Sequence, residues 1–187
     1  KNGCETMSVN RGYFGIGVEG ITKESNLGNL TRSAHAFGAN FFFTVSPRVD
    51  YKKVKSTDTS KAFDSVPYNQ YDSLDQFVLP QGCQLVGVEL VEDSIELPSF
   101  RHPTRAAYIL GSVMGNLSDE AQARCDHIIK IPMHFCINVG VCGALVMYDR
   151  LISTSRFAPR PVRAGGPTEQ IVNHGKGLRI KLRTPQE

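Results

Sequence analysis

The chain has 187 residues, 41% of them hydrophobic and 21% charged, with a net charge of +3 and a pI near 8.6. That length supports one domain with a full core plus a tail and makes two domains cramped, while no apolar run approaches the roughly 20 residues that span a bilayer and no signal peptide is visible. Five scattered cysteines (Cys4, Cys83, Cys125, Cys136, Cys142) lack the paired short spacing of a zinc site and read as reduced cytosolic thiols, with Cys136 and Cys142 as small buried hydrophobes.

Residues 1–12 are polar and without period, and read as an arm. Residues 13–20 hold Gly15, Gly17 and Gly20 in the spacing Gly-x-Gly-x-x-Gly, which in a dinucleotide fold follows a strand and opens a helix. Neither flank fits that context. Phe14, Ile16 and Val18 alternate with glycine instead, which predicts a first strand. From 26 to 38, Leu27, Leu30, Ala34 and Phe37 recur at steps of three and four and predict a helix, capped near Ser25 or Asn26 and stopped by Gly38. Asn26 and Arg32 lie off that apolar stripe. Three consecutive phenylalanines, Phe41 to Phe43, then predict a strand buried on both faces, and the alternation of strand and helix predicts an α/β fold with a mostly parallel sheet flanked by helices.

Residues 47–66, rich in Lys, Ser, Thr and Asp, read as a mobile loop or weakly anchored helix with Lys52, Lys53, Lys55 and Lys61 exposed, either a solvated surface or a phosphate contact. A short strand at 66–71 and a short helix at 73–79 precede a buried strand at 84–90 that ends at Glu89. Residues 92–105 are polar and irregular. The next strand, 106–110, runs from its carboxyl end at Leu110 straight into a turn at Gly111, the kind of loop at which open α/β sheets bind ligands. Ser118 starts a short helix, and a strand at 125–131 is ended by Pro132. A small-residue helix begins near Ile137, and its bare face at Gly140, Gly143 and Ala144 predicts a close neighbour: a backbone, a partner chain or a ligand. After Arg150 the chain becomes basic and broken by Pro and Gly, with Arg156, Arg160, Arg163, Lys176, Arg179, Lys181 and Arg183 against Glu169 before the terminal Glu187. This tail reads as a phosphate-binding arm or a solubilising extension.

Three segments stand in a fixed order: Asn26 to Arg32 with Phe37 and Gly38, then Leu110 and Gly111 through Ser118, then Ile131, Pro132 and Met133 through Asn138 to Tyr148. In this the chain resembles the SpoU, or TrmH-like, branch of the SPOUT RNA methyltransferases. The resemblance implies a C-terminal trefoil knot, S-adenosylmethionine as cofactor, a homodimer, and transfer of methyl to a ribose 2′-hydroxyl of tRNA or rRNA. It implies a domain at 13–152 between the arm and a tail at 153–187, cytoplasmic localisation, and no membrane or metal partner. By matching position, Asn26, Arg32 and Asn138 are the expected catalytic residues. Glu89, Leu110, Gly111, Ile131, Pro132, Met133, Cys136, Ile137 and Asn138 are the expected cofactor contacts, and the bare helix face would serve knot closure and the partner subunit. Two departures stand out: Val113 occupies a position where the family usually has Glu, and only His134 and Phe135 separate Met133 from Cys136, which stands where the family often has serine. Val113 favours the alternative reading, a catalytically degenerate RNA-binding relative.

A sulfonium methyl is already electrophilic, so such a site mainly has to place a ribose oxygen in line with it and ease loss of the hydroxyl proton. Arg32 is expected to pair with the target phosphate and position the hydroxyl, with Asn26 and Asn138 shaping the site by hydrogen bonds.

Overall fold

The computed structural model describes residues 12–57, 61–111, 116–155, 157 and 160–166. It divides into a unit through Ser155 and a second from Arg156 onward, of which the described residues are exposed and carry no helix or strand. Most of the expected basic tail, the expected arm through residue 11, and Val113 lie outside the described residues.

In the first unit seven strands form one sheet: β1 (Tyr13–Glu19), β2 (Phe41–Val45), β3 (Tyr68–Tyr71), β4 (Gln84–Val88), β5 (Ile95–Glu96), β6 (Arg105–Leu110) and β7 (His127–Lys130). Their order is β3-β2-β1-β6-β4-β7-β5 and every pairing is parallel. Helices α1 (Glu24–Ala36), α2 (Tyr51–Thr57), α3 (Ala62–Ser65), α4 (Asp119–Arg124) and α5 (Val139–Thr154) cover the sheet. Because both faces are covered, the central strands are apolar throughout: β2 is buried at all five positions, and its phenylalanines divide between two clusters, Phe42 in one and Phe41 and Phe43 in the other.

The glycine spacing of β1 has a packing origin. Gly15 pairs with Phe41 and Gly17 with Phe43 on β2, and a Cβ on either glycine would lie 2.3 to 2.5 Å from the facing ring. The two positions are bare because aromatic rings lie over them, and no nucleotide turn follows.

Several elements differ from the sequence expectation for local reasons. Helix α1 starts at Glu24, and its N-cap, Lys23, makes no side-chain cap, so Asn26 lies inside the first turns rather than at the cap. Lys53 of α2 pairs with Glu24 at 2.9 Å on the surface, and an acid in the first turn suits the helix dipole. Of the two readings for residues 47–66, a mobile loop or a weakly anchored helix, the described residues take the helical one as α2 and α3, and Tyr51, stacked on Tyr68 at 4.0 Å and edge-on to Phe63, anchors them together with buried Val54. The helix expected at 73–79 shrinks to one 3-10 turn, Leu74–Gln76, and the irregular 92–105 segment contributes β5 and a 3-10 turn at Leu97–Ser99 that buries Leu97 and Phe100. Cys136 is exposed, not buried, because it lies in the loop before α5; Cys142, within α5, is largely covered.

Glycines of α5 face the same chain. A Cβ on Gly143 would sit 2.3 Å from Leu30 Cδ1 and 3.2 Å from Ile16 Cδ1, and one on Gly140 would sit 3.0 Å from Asn29 Cβ. Helix α5 therefore seats directly on α1 and β1. The bare face at Gly140 and Gly143, expected to admit a partner subunit, is filled by α1, and α5 turns a different face to solvent.

At the amino ends of the strands a polar network is sealed into the core. His102, with its side chain fully covered, meets Tyr108 Oη at 2.6 Å through Nδ1 and Asp149 Oδ2 at 2.9 Å through Nε2. Burial, the largest influence, holds His102 below its ordinary 6.5, with Arg150 pushing the same way and Asp149 opposing. A neutral ring donates from Nε2 to the carboxylate and leaves Nδ1 to accept from the tyrosine hydroxyl. The sign for stability follows. Above pH 6.5 both folded and unfolded His102 are neutral and nothing is lost; as pH falls through 6.5 the unfolded chain takes up a proton that the folded one refuses, so folding weakens until the lower folded value is reached. Urea midpoints measured from pH 8 to pH 5 are expected to fall with acid in the native protein and to fall less in His102→Gln; equal slopes would show that His102 is not the group responsible.

Candidate active site

The strand order reverses across β1: the chain lays β2 and β3 on one side and the four later strands on the other, in the spatial order β6, β4, β7, β5. In open α/β sheets a crevice forms outside the carboxyl ends at such a point. The carboxyl-end segments here are those after Glu19, Val88, Leu110 and Lys130.

Two of the three expected catalytic residues meet. Asn138 Nδ2 donates to Asn26 Oδ1 at 2.7 Å, while Asn138 Oδ1 accepts from Gly140 N at 2.8 Å and so caps α5. Asn26 is 4% exposed and projects from α1 toward α5. One asparagine thus fixes the start of α5, the end of the 131–138 loop and the first turns of α1 together. Arg32 stands on the exposed side of α1, six residues and so about 9 Å along the axis from Asn26 at the helical rise of 1.5 Å per residue.

The expected cofactor residues line the same end of the sheet. Glu89, just after β4, accepts from Leu117 N at 2.6 Å and from Leu90 N at 2.8 Å, so its carboxylate holds Leu117, the residue before the α4 cap. Gly111 has no room for a side chain: a Cβ would lie 2.5 Å from Leu117 N and 3.2 Å from Glu89 Oε2. Leu110 is buried at 1% exposure, leaving only its main chain to face the crevice. In the loop, Ile131 and Met133 are half-buried, while Pro132, Cys136, Ile137 and Asn138 are exposed. Among the described residues, the backbone N–H and C=O groups of residues 133–137 take no backbone partner. A run of open main-chain donors and acceptors at a sheet's carboxyl end can read the edge of a purine. Cys142 faces Glu89 from α5; burial, then that carboxylate, push its thiol up to about 12, so it is an inert wall and no nucleophile.

Sequence reasoning missed Glu19. Its Oε2 accepts from Ser118 N at 2.8 Å and its Oε1 from Ser118 Oγ at 2.7 Å, while Ser118 Oγ also accepts from Ala121 N at 3.1 Å to cap α4. The available signal was an acid closing a buried strand at the reversal point. Glu19, which closes β1, and Glu89, just after β4, together clamp residues 117 and 118. Among the described residues no group of three or more His, Cys, Asp or Glu gathers as a metal cluster, and no helix is long and apolar enough to cross a membrane.

Comparison with known proteins meets this geometry. The model of the SpoU rRNA Methylase family matches residues 14–148. A curated mouse protein, tRNA (guanosine(18)-2'-O)-methyltransferase TARBP1, is 27% identical over 137 residues, covering 69% of this chain and 9% of that protein, so the chain spans a small part of its relative's length. The SpoU methyltransferase AviRb from Streptomyces viridochromogenes superposes with a TM-score of 0.67 at 21% identity, over 76% of this chain and 60% of AviRb; it has also been solved in complex with the cofactor AdoMet. The A. aeolicus TrmH/SpoU tRNA modifying enzyme superposes with a TM-score of 0.63 at 16% identity, over 78% of this chain and 80% of that one. With its parallel sheet, the cradle at its carboxyl ends and a family match running from β1 to within α5, the chain belongs to the SpoU rRNA Methylase family.

Proposed function

We propose that this chain is an S-adenosylmethionine-dependent RNA methyltransferase acting on a ribose 2′-hydroxyl of tRNA or rRNA. The observation that carries the reading is the Asn138–Asn26 hydrogen bond, which ties the loop of open main-chain groups to the helix bearing Arg32. When bound, S-adenosylmethionine supplies an electrophilic methyl group. The chain's own residues then have three tasks. The open backbone of residues 133–137, Cys136 and Ile137 among them, with Leu110, Gly111, Ile131 and Pro132 beside it, seats the adenosine; Glu89 holds Leu117; Asn138 and Asn26 hold loop and α1 in register. Arg32, always a cation, draws the target phosphate to the exposed side of α1 and orients the ribose hydroxyl.

Assembly as a homodimer belongs to the same proposal. Val141, Leu145 and Tyr148 recur at steps of four and three and are 52%, 40% and 49% exposed, an apolar stripe on α5 away from Gly140 and Gly143 that Ile137, 37% exposed in the loop before the helix, extends. A helix face of that kind suits a second copy across a twofold axis. The C-terminal knot is supported by chain order: β7 lies beyond β4, yet α5, which follows it, packs back on α1 and β1.

Incubation with methyl-labelled S-adenosylmethionine and unmodified RNA is expected to give label that survives alkaline hydrolysis as dinucleotides, because a 2′-O-methyl group blocks cleavage of the adjacent phosphodiester. Cofactor binding without transfer would instead identify the degenerate RNA-binding relative, which Val113 in place of the family's usual Glu favours. Label released as a modified base would overturn the ribose assignment.

A further inference from the structure

The carboxyl edge of the sheet is electrostatically divided. Between residues 22 and 55, six cations (Lys23, Arg32, Arg48, Lys52, Lys53, Lys55) face two acids, Glu24 and Asp50. Across the reversal point the sign changes: Glu89, Glu92, Asp93 and Glu96 fall within eight residues after β4, and Asp119 and Glu120 open α4. A polyanion approaching this edge is steered to the β1–β2 side and repelled from the β4–β5 side.

On the basic side the cations are not equivalent. Lys53 is paired with Glu24 at 2.9 Å and Lys55 with Asp64 at 2.7 Å. Lys23, Arg48 and Lys52 are exposed and take no ion pair among the described residues. They are also brought close by the backbone. Arg48 N donates to Ile21 O at 2.8 Å, which lays the segment after β2 along the segment that leads to Lys23. Asp50 Oδ1 accepts from Lys52 N at 2.8 Å and fixes the first turn of α2, whose Lys53 reaches back to Glu24. Three unpaired cations from three segments thus stand on one ledge beside the amino end of α1, the nearest, Lys23, three residues before Asn26.

We propose that Lys23, Arg48 and Lys52 form a phosphate track on which the RNA strand flanking the methylated nucleotide lies. This deepens the methyltransferase reading and rests on it. The track carries no base-reading groups, so it contributes affinity and register, not sequence choice. Lys53 and Lys55, already paired within the chain, contribute little.

The test compares the native chain with a Lys23→Gln, Arg48→Gln, Lys52→Gln triple variant and a Lys53→Gln, Lys55→Gln control, in RNA binding over a salt series, in S-adenosylmethionine binding and in methyl transfer. With a slope of about −0.7 per neutralised phosphate on single strands, the triple variant is expected to lose about two units of salt slope and at least tenfold in RNA affinity near physiological salt. Its KM for RNA should rise by a similar factor, with kcat at saturating RNA and cofactor affinity within twofold of native. The control should change less than threefold. A triple variant with native slope and KM, or a control that loses as much, would overturn the track while leaving the enzyme reading intact. A native chain that binds the cofactor and RNA but transfers no methyl would overturn the enzyme reading instead, and the binding arm would still judge the track.

Discussion

Arg32→Ala is expected to lower kcat/KM for methyl transfer to RNA by about 10²–10⁴-fold, the range attached to losing a group that helps move a proton or places the acceptor within an ångström. Affinity for S-adenosylmethionine should stay within about twofold, because the proposed cofactor contacts lie on the 131–138 loop and beside Gly111, whereas Arg32 stands on the exposed side of α1. Stability should barely change for the same reason, as exposed substitutions away from caps and cores usually stay within about 0.5 kcal/mol. Arg32→Lys separates two roles of the arginine. A lysine keeps the charge and loses the planar fork, so an intermediate loss marks oriented pairing with phosphate, and full activity marks charge alone. Full activity in the alanine variant would make Arg32 an ordinary surface residue and remove it from the mechanism. Comparison with Asn26→Ala sharpens the result: that change breaks the bond to Asn138 Nδ2 and should weaken cofactor binding together with turnover.

Legibility in the sequence followed the kind of interaction. Strands buried on both faces announced themselves, since the apolar run at Phe41 to Phe43 and the β6 and β4 runs have no other stable placement in so short a chain. The capping of α4 by Ser118 was also readable, because capping is local. What escaped depends on contacts far apart in the chain. Helix α1 begins at Glu24, before its expected cap, where Lys53, twenty-nine residues on, adds a surface ion pair. Glu19 holds Ser118 across 99 residues, and its one local mark, an acid closing a buried strand, does not say what it holds. The meeting of Asn26 with Asn138 spans 112 residues and was reached through ordered motifs; no periodicity places those two side chains together. The glycine face of α5 was noticed for the right physical reason, a close neighbour, but which neighbour was undetermined until Leu30 and Ile16 were seen against Gly143.

Arg150→Ala is expected to cost about 2–4 kcal/mol of folding stability, the range for truncating a large buried side chain and stripping its hydrogen bonds. Arg150 is 2% exposed at the last turns of α5. Its Nη1 donates to Pro103 O at 2.6 Å and to Tyr108 Oη at 3.0 Å, its Nη2 donates to Thr104 O at 3.0 Å, and the guanidinium lies 4.9 Å from the centroid of Phe14. One side chain thereby pins α5 to the segments that enter β1 and β6. Truncation takes a donor from the carbonyl of half-buried Pro103 and one of two donors from that of Thr104, which keeps Tyr13 N, opens a cavity against Phe14, and perturbs the His102 network through Tyr108. With an m-value of about 2–3 kcal/mol/M in urea, the midpoint should fall by roughly 1–2 M. Arg150→Lys should recover part of the loss, since an ammonium keeps the charge but not the fork geometry. The site should not share in this. Asn138 caps the opposite end of α5, twelve residues and so about 18 Å away at 1.5 Å per residue, so the folded Arg150→Ala protein, assayed cold and well below its midpoint, should bind S-adenosylmethionine and transfer methyl at close to the native rate. Loss of turnover in fully folded protein would instead mean that strain at the amino ends of the strands reaches the loop at the carboxyl ends through α5, a coupling that a double variant with Asn138→Ala would expose as non-additive.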